Sequence, residues 1–423
     1  MRHVTPWLAM LAAALAVSAA AQILPQIGGV GEAIGGIDDR LGRAATSIDD
    51  GVRGSGRAVA DLAVGRANRL TDQLRQHPAD LDRDSRGYVA VRGELIAVDP
   101  DAATLQVAIA AGFAVIDDMQ VEGLDLRTVR LRTPKGMGLA AAQKLLAAKA
   151  GSATIQSNPI YERSGASGAG GGPVTADGAG RRIGLIDGGV AVHPDLPTTI
   201  SQRGFAVGAP TADPHATAIA SIMVGRGAVH GVAPAARLYA ADIYGRDPRG
   251  GNALAIARAM GWLVQSGAAV INLSLVGPDS PLLARAVAAA DAKGVVMIAA
   301  VGNDGAAAPL AYPASYPQVI AVTGIDGRGR PLIEAGRARH LDFAAPGASV
   351  LAAALDGGRR EVRGTSFAAP FVSAKLATIM PDVRIGRARA VDLLAARARR
   401  PAYGLSLSRY GRGIICGDCA SLK

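Results

Sequence analysis

From Arg181 to about Met380, short apolar runs alternate with helical patterns, and this alternation constrains the fold more than any other feature. Ile183–Ile186, Arg237–Ile243, Ala268–Leu275, Val295–Val301 and Val319–Thr323 read as strands. Ala216–Val224, Ala253–Gln265 and Pro281–Lys293 read as helices, the last closed by Gly294. Strands this uniformly apolar are buried on both faces, which calls for a mainly parallel sheet with helices on each side. Aromatic residues make up 4% of the chain, so Ala, Val, Leu and Ile must build the core. In such α/β sheets, functional groups gather beyond the carboxyl ends of the strands.

Four places in this half carry chemistry. Asp187 ends the run Ile183–Ile186 and is followed by Gly188-Gly189, where such a sheet presents a functional carboxylate or an ordinary turn aspartate. His215 lies in Asp213-Pro-His-Ala-Thr-Ala-Ile-Ala, at the head of a helix of small and apolar residues. That setting suits a positioned base better than a surface histidine. Asn303 follows an apolar strand in Ala299-Ala-Val-Gly-Asn-Asp-Gly305, either as an Asn-Asp-Gly turn or as an amide donor for a developing oxyanion. Ser366, in Arg363-Gly-Thr-Ser-Phe-Ala-Ala-Pro370, precedes an apolar run to Met380 that predicts a buried helix. A serine at a helix N-terminus is often only a cap, but beside a histidine and an acid it is a nucleophile.

Together these stretches resemble, in the order Asp, His, Ser, the signatures of the subtilisin-like serine peptidases. The matching pieces are Asp187-Gly-Gly-Val, His215-Ala-Thr-Ala-Ile-Ala, Ala299-Ala-Val-Gly-Asn303 and Gly364-Thr-Ser366-Phe-Ala-Ala-Pro370. Gly231-Val-Ala-Pro234, Val270–Leu275, Tyr312–Val322 and Phe343–Gly347 support them, so the resemblance spans roughly 181–413. It implies a subtilisin-like three-layer α/β fold and a secreted or periplasmic endopeptidase acting on protein or peptide substrates. In that reading Ser366 attacks the scissile carbonyl, His215 moves the proton, Asp187 orients the imidazole and Asn303 holds the oxyanion. It also implies a cleft lined by Ser274, Leu275, Val276 and Gly277 on one side and Ala300 and Gly302 on the other, pairing with an extended peptide strand to strand. The chain departs from the family pattern at Gly188, where Ser or Thr is usual. Ala216 and Ser221 replace glycines, and Val301 replaces a small residue.

Two other classes compete. A catalytically weak, subtilisin-shaped binding or regulatory protein keeps the fold without the rate. An α/β-hydrolase requires Gly-x-Ser-x-Gly and the order Ser, acid, His, and neither occurs around Ser366.

Residues 88–163 predict a different unit. Tyr88–Val98, Phe113–Val121, a segment around Val129 and Leu131, and Ala153–Tyr161 read as strands, with helices from Pro100 to Ala111 and Gly138 to Ala150. The order βαββαβ is that of a small ferredoxin-like domain. It has no histidine and no cluster of titratable groups. Family propeptides have this shape, act as folding chaperones and leave their last strand in the active site. The resemblance therefore makes 88–163 an inhibitor-type propeptide whose tail is Ser157–Arg163. Self-cleavage is then expected between about Tyr161 and Gly180, a stretch that includes the Gly-rich linker 164–180.

The amino terminus reads as an export signal over residues 1–21. Arg2 and His3 precede an apolar run from Trp7 to Ala20, and Ala19-Ala20-Ala21 offers small residues for cleavage before Gln22. That run of about 14 residues is short of the roughly 20 that span a bilayer. In an oxidising compartment the two cysteines, Cys416 and Cys419, suit a local disulfide, with free thiols as the other reading. Residues 22–87 carry weak heptads (Ile27, Ile34, Leu41, Ile48) amid many glycines, and predict a loosely ordered or amphipathic pre-segment.

The net charge is +10, with 27 Lys and Arg against 16 Asp and Glu from Arg181 onward. The charge is scattered arginine without interleaved aromatics, which predicts a solvated surface and not a nucleic-acid site. No cofactor is expected. The loop carboxylates Asp242, Asp247 and Asp304 form no recognisable calcium motif.

Overall fold

In the computed structural model, a five-stranded and a seven-stranded sheet, with two small ones, lie in one compact unit that begins at Asp61. The structure describes residues 61–416 except 63, 152, 165, 168–180, 381–383, 403 and 405. The export signal, the heptads before residue 61 and Cys419 lie outside the described residues. Cys416 is disulfide-bonded, and the sequence holds one other cysteine.

The smaller sheet is antiparallel. Residues 64–76 form helix α1 ahead of it. Strands β1 (Leu81–Arg83), β2 (Val89–Val98), β3 (Ala114–Val121), β4 (Leu126–Arg132) and β5 (Thr154–Pro159) follow, with α2 (Ala102–Ala110) and α3 (Leu139–Lys149) between them. From β2 onward the order is βαββαβ. β2 lies between β4 and β5, β3 pairs with β4 on its far side, and β1 pairs with the first part of β2. Leu95, Ala97, Val129 and Leu131 meet Leu139, Ala142 and Leu146 of α3 in this unit's own core. Strand β1 and helix α1 arise from the stretch whose sequence showed only glycine-broken heptads.

The larger sheet has seven parallel strands. After the two-residue strands β6 (Glu162–Arg163) and β7 (Ala166–Ser167) come β8 (Arg182–Asp187), β9 (Ser201–Gly204), β10 (Arg237–Asp242), β11 (Val270–Leu273), β12 (Leu275–Val276), β13 (Val296–Ala300), β14 (Val319–Ile325) and β15 (Phe343–Pro346). The order across the sheet is β15-β14-β13-β11-β8-β10-β9. Helices α4 (Pro214–Val224), α5 (Ala253–Gln265) and α6 (Pro281–Ala292) are the crossovers, each opened by a side-chain cap from Asp213, Asn252 or Ser280. An antiparallel pair, β16 (Val350–Ala353) and β17 (Arg359–Arg363), precedes α7 (Ala369–Ile379), and α8 (Gly386–Ala395) follows. Residues of α4 and α7 bury one face of the sheet and those of α5 and α6 the other. Parallel strands demand this double cover, as the alternation in the sequence predicted. Among the described residues no helix is long and apolar enough to cross a membrane.

The small sheet docks on α5 and α6 through the unpaired N–H groups of their first turns. Asn158 Oδ1 accepts the N–H of Leu254 at 3.1 Å, and Gln156 Oε1 accepts that of Leu282 at 2.8 Å. Both acceptors lie on β5, so one strand satisfies donors on two helices that otherwise need water. The contact is therefore directional as well as apolar.

At the far end of the sheet, His340 Nε2 lies 2.9 Å from the carbonyl of Val319 and 3.3 Å from Asp342 Oδ2. The bond to Asp342 holds this imidazole above its ordinary range, with burial opposing it. A raised folded value means that the interaction stabilises fully below the unfolded value of about 6.5 and is lost as pH rises through the folded one. The melting temperature of His340→Gln should therefore fall below wild type by more at about pH 5.5 than at about pH 8.5. A gap that widens with rising pH would contradict this assignment.

Candidate active site

Segments at the carboxyl edge of the parallel sheet meet at one point. Asp187 is the last residue of β8 and is wholly buried. Its Oδ2 lies 2.9 Å and its Oδ1 3.1 Å from His215 Nδ1, and Gly188 N–H donates to Oδ1 at 2.8 Å. Because a carboxylate only accepts, Nδ1 carries the proton, and Nε2 of the neutral ring is left as the basic nitrogen. His215 is fixed from below as well. It is the second residue of α4, where Pro214 starts the helix and Asp213 Oδ1 accepts the N–H groups of His215 (2.8 Å) and Ala216 (3.0 Å). The ring of Phe367 packs beside it with centroids 5.2 Å apart.

Ser366 lies in a 3-10 turn, Thr365–Phe367, that leads into α7, and it is fully buried. Asn303 is tied to the same turn, since its Oδ1 accepts the N–H of Thr365 at 2.8 Å. With Oδ1 so engaged, the amide presents Nδ2 as a donor. Among the described residues, His215 Nε2 and Asn303 Nδ2 are both buried without a hydrogen-bond partner. Leaving a buried polar atom unpaired costs about 1–3 kcal/mol, so two orphans at one point, one a base and one a donor, call for a functional reason.

The cleft beside them holds a piece of the chain itself. β6 pairs antiparallel with β12, Leu275 opposite Arg163 and Val276 opposite Glu162. Ser164 N–H donates to the Ser274 carbonyl at 3.3 Å, and the Ser164 hydroxyl lies 2.6 Å from that of Ser366. Two residues earlier than β6's end, Tyr161 is buried, its N–H donating to the carbonyl of Gly251 (2.8 Å) and its hydroxyl to that of Pro278 (2.6 Å). Gly277 is required for this fit, because a Cβ there would stand 2.3 Å from the tyrosine ring. Beyond Ser164 the chain pairs again, β7 running antiparallel to β17. An extended segment thus crosses the site, with ladder bonds on both sides of Ser366.

The structure joins His215 to Asp187, ties Asn303 to the turn that carries Ser366, packs Phe367 of that turn against the His215 ring, and sets Ser274, Leu275, Val276 and Gly277 along the segment. Ala300 and Gly302 were expected to form the other wall and to pair with extended peptide. Ala300 ends β13, whose edges pair with β11 and β14, so among the described residues that strand offers no free edge to the crossing segment. Gly302 instead accepts the hydroxyl of Thr365 at 3.1 Å through its carbonyl, supporting the serine turn. Ser221, in place of a glycine, accepts the N–H of Ala353 at 2.9 Å and so ties α4 to β16. Asp242 caps the N–H groups of Tyr244 and Gly245, Asp247 pairs with Arg249, and Asp304 is held by Arg66 at 3.0 Å and Arg69 at 2.6 Å. The last clasp lays α1 against the loop that carries Asn303. Glu162 sits nearby, its carboxyl pushed up by burial and partly restored by the two arginines. Sequence reading missed this clasp, the Gly251 edge and the contacts of Arg163, none of which has a local signature.

A base on a buried acid, a serine on a tight turn and a cleft that binds extended chain define a hydrolase of peptide-like substrates. Residues 178–413 match the Subtilase family (peptidase S8). The chain belongs to that family of serine endopeptidases. Subtilisin BL of Lederbergia lenta is 34% identical over 209 residues, 48% of this chain and 77% of that protein. Subtilisin DY of Bacillus licheniformis is 32% identical over 257 residues, 58% and 92% of the two chains. The protease domain of PatA, solved as its S218A mutant, is 28% identical with a TM-score of 0.51 over 57% of this chain and 94% of its own. Fervidolysin of Fervidobacterium pennivorans, a keratinolytic enzyme related to subtilisin, shares the fold at 20% identity and a TM-score of 0.65, covering 78% of this chain and 61% of its own.

Proposed function

We propose that the chain is a secreted serine endopeptidase made as a self-processing zymogen, and that the bond after Ser164 is the first one it cuts. The observation that carries this reading is the passage of residues 161–164 through the cleft, with the Ser164 hydroxyl 2.6 Å from that of Ser366. Ser366 Oγ attacks the carbonyl carbon of Ser164 as His215 Nε2 takes its proton. Asn303 Nδ2 donates to the oxygen that gains the charge. Collapse breaks the bond to Gly165, whose nitrogen leaves with the proton from His215, and the Ser164 carbonyl stays on Ser366 as an ester. Water, deprotonated by His215, then frees the acid.

Residues 88–164 act on this reading as template and plug. Parallel sheets with long crossovers fold slowly, and a partner that binds only the folded state favours it. Export is supported by the apolar run behind Arg2 and His3, and a relative 30% identical over 208 residues is named minor extracellular protease Epr of Bacillus subtilis.

Mass spectrometry of exported wild type and Ser366→Ala tests the whole. Wild type should yield a chain starting at Gly165, and Ser366→Ala should remain joined there. Cleavage at this bond in both forms would overturn self-processing. An uncut wild type that also fails to degrade an unfolded protein would favour a catalytically weak binding protein instead.

A further inference from the structure

The side chain of Arg163, next to Ser164, enters a pocket that none of the family motifs describes. Its guanidinium lies 3.8 Å above the centre of the Tyr244 ring, and Nη2 is 2.8 Å from Asp213 Oδ2. Nε stands 3.8 Å from Asp187 Oδ1. Asp213 divides its labour, because Oδ1 caps the helix that carries His215 while Oδ2 faces the cation.

Several features make this a built site and not a chance surface pair. Asp187, Asp213 and His215 place potential ligand atoms within 4.8 Å of one another, so a buried and a half-buried carboxylate share a small space. Burial and then the neighbouring Asp187 push the Asp213 carboxyl up, and Arg163 pulls it back. Gly188 is what admits Asp213 so close, since a Cβ at 188 would lie 2.5 Å from Asp213 Cβ. The unusual glycine after Asp187 thus has a physical partner across the cleft.

We propose that Asp213 and Tyr244 form a specificity subsite that selects substrates with a cationic side chain, arginine above lysine, at the residue preceding the one whose carbonyl is attacked. This rests on the serine-peptidase reading of the same site and adds the substrate class to it. Arginine suits the pocket better than lysine because a planar guanidinium stacks on the ring while its edge meets the carboxylate. An alanine there leaves two neighbouring carboxylates without a counter-charge, and a glutamate adds a third.

The test is hydrolysis of four peptides, acetyl-Tyr-Glu-Xaa-Ser-Gly-Ala-Ser with Xaa Arg, Lys, Ala or Glu, by the self-processed enzyme exported from the full-length chain, freed of its amino-side fragment, and by its Asp213→Asn form prepared in the same way. Asparagine keeps the helix-capping oxygen and removes the charge. Wild type should order kcat/KM as Arg, Lys, Ala, Glu, with Arg above Ala by at least about tenfold, as expected for one well-placed charged contact. In Asp213→Asn the ratio of Arg to Ala should collapse to within about threefold, and the glutamate peptide should gain relative to alanine. Equal rates for all four peptides in wild type would overturn the subsite even if Asp213→Asn failed to fold. So would an arginine preference undiminished in Asp213→Asn. Failure of wild type to cleave any peptide, matching Ser366→Ala, would instead sink the serine-peptidase reading and the subsite with it.

Discussion

His215→Ala and Ser366→Ala should each lower kcat by about a million-fold, and the double variant should be no slower than either one. The reasoning begins with the orphaned Nε2. Asp187 takes both the proton side and the orientation of the imidazole, which leaves Nε2 unpartnered, and in the proposed mechanism that nitrogen accepts the proton of Ser366. Without that nitrogen the hydroxyl is a poor nucleophile, and without the hydroxyl the nitrogen has nothing to activate. Two parts of one step cannot be lost twice. Single-turnover rates on a peptide carrying Tyr-Glu-Arg-Ser measure the three variants directly. If the double variant were slower than both singles by a further factor of a thousand or so, the residues would act independently, and the shared step would be wrong.

Asn303→Ala should reduce kcat by about 10²–10³-fold while changing KM little. In the resting site Nδ2 has no partner, so its hydrogen bond forms only when the carbonyl oxygen of the substrate becomes an anion. An interaction made only in the transition state appears in kcat and not in ground-state binding. The side chain also accepts the N–H of Thr365, so alanine releases the turn that carries Ser366. Asn303→Asp separates the two roles: it keeps the acceptor and removes the donor. Equal kcat losses in both variants would locate the effect in the oxyanion contact. A mild Asn303→Asp phenotype would locate it in the turn.

Much of this was legible from sequence because the relevant signals are local. Asp187 sits where an apolar strand ends, His215 where Asp-Pro opens a helix, and Ser366 just before an apolar run. Each is read from fewer than about ten residues of pattern, and the parallel sheet follows from the same runs. What escaped was non-local or lacked contrast. β9, Ser201–Gly204, is a largely exposed polar edge strand with no alternation to betray it. β1 is three residues long inside a glycine-broken stretch. The resemblance that makes Ala300 and Gly302 one wall of the cleft says nothing of strand pairing, and both edges of β13 are taken by β11 and β14. The register of Glu162 and Arg163 against Leu275 and Val276 joins residues more than a hundred positions apart, and no motif encodes it. Gly188 looked like a departure from the family, and only Asp213 explains it.

The two sides of the crossing segment are unequally anchored. Before Ser164, Gln156, Asn158 and Tyr161 tie the chain to α5, α6 and the cleft edges, whereas among the described residues β7 adds a two-residue ladder after it. A cut between them therefore frees the carboxyl-side end first and leaves the amino-side fragment seated as a non-covalent stopper. On the proposed self-processing, maturation runs on two clocks. The cut is unimolecular, and its half-time ignores dilution. Departure of the stopper is an equilibrium between separate molecules, so the fraction of open enzyme rises on dilution. An enzyme built this way stays shut where it is concentrated, near its source, and opens with distance from it.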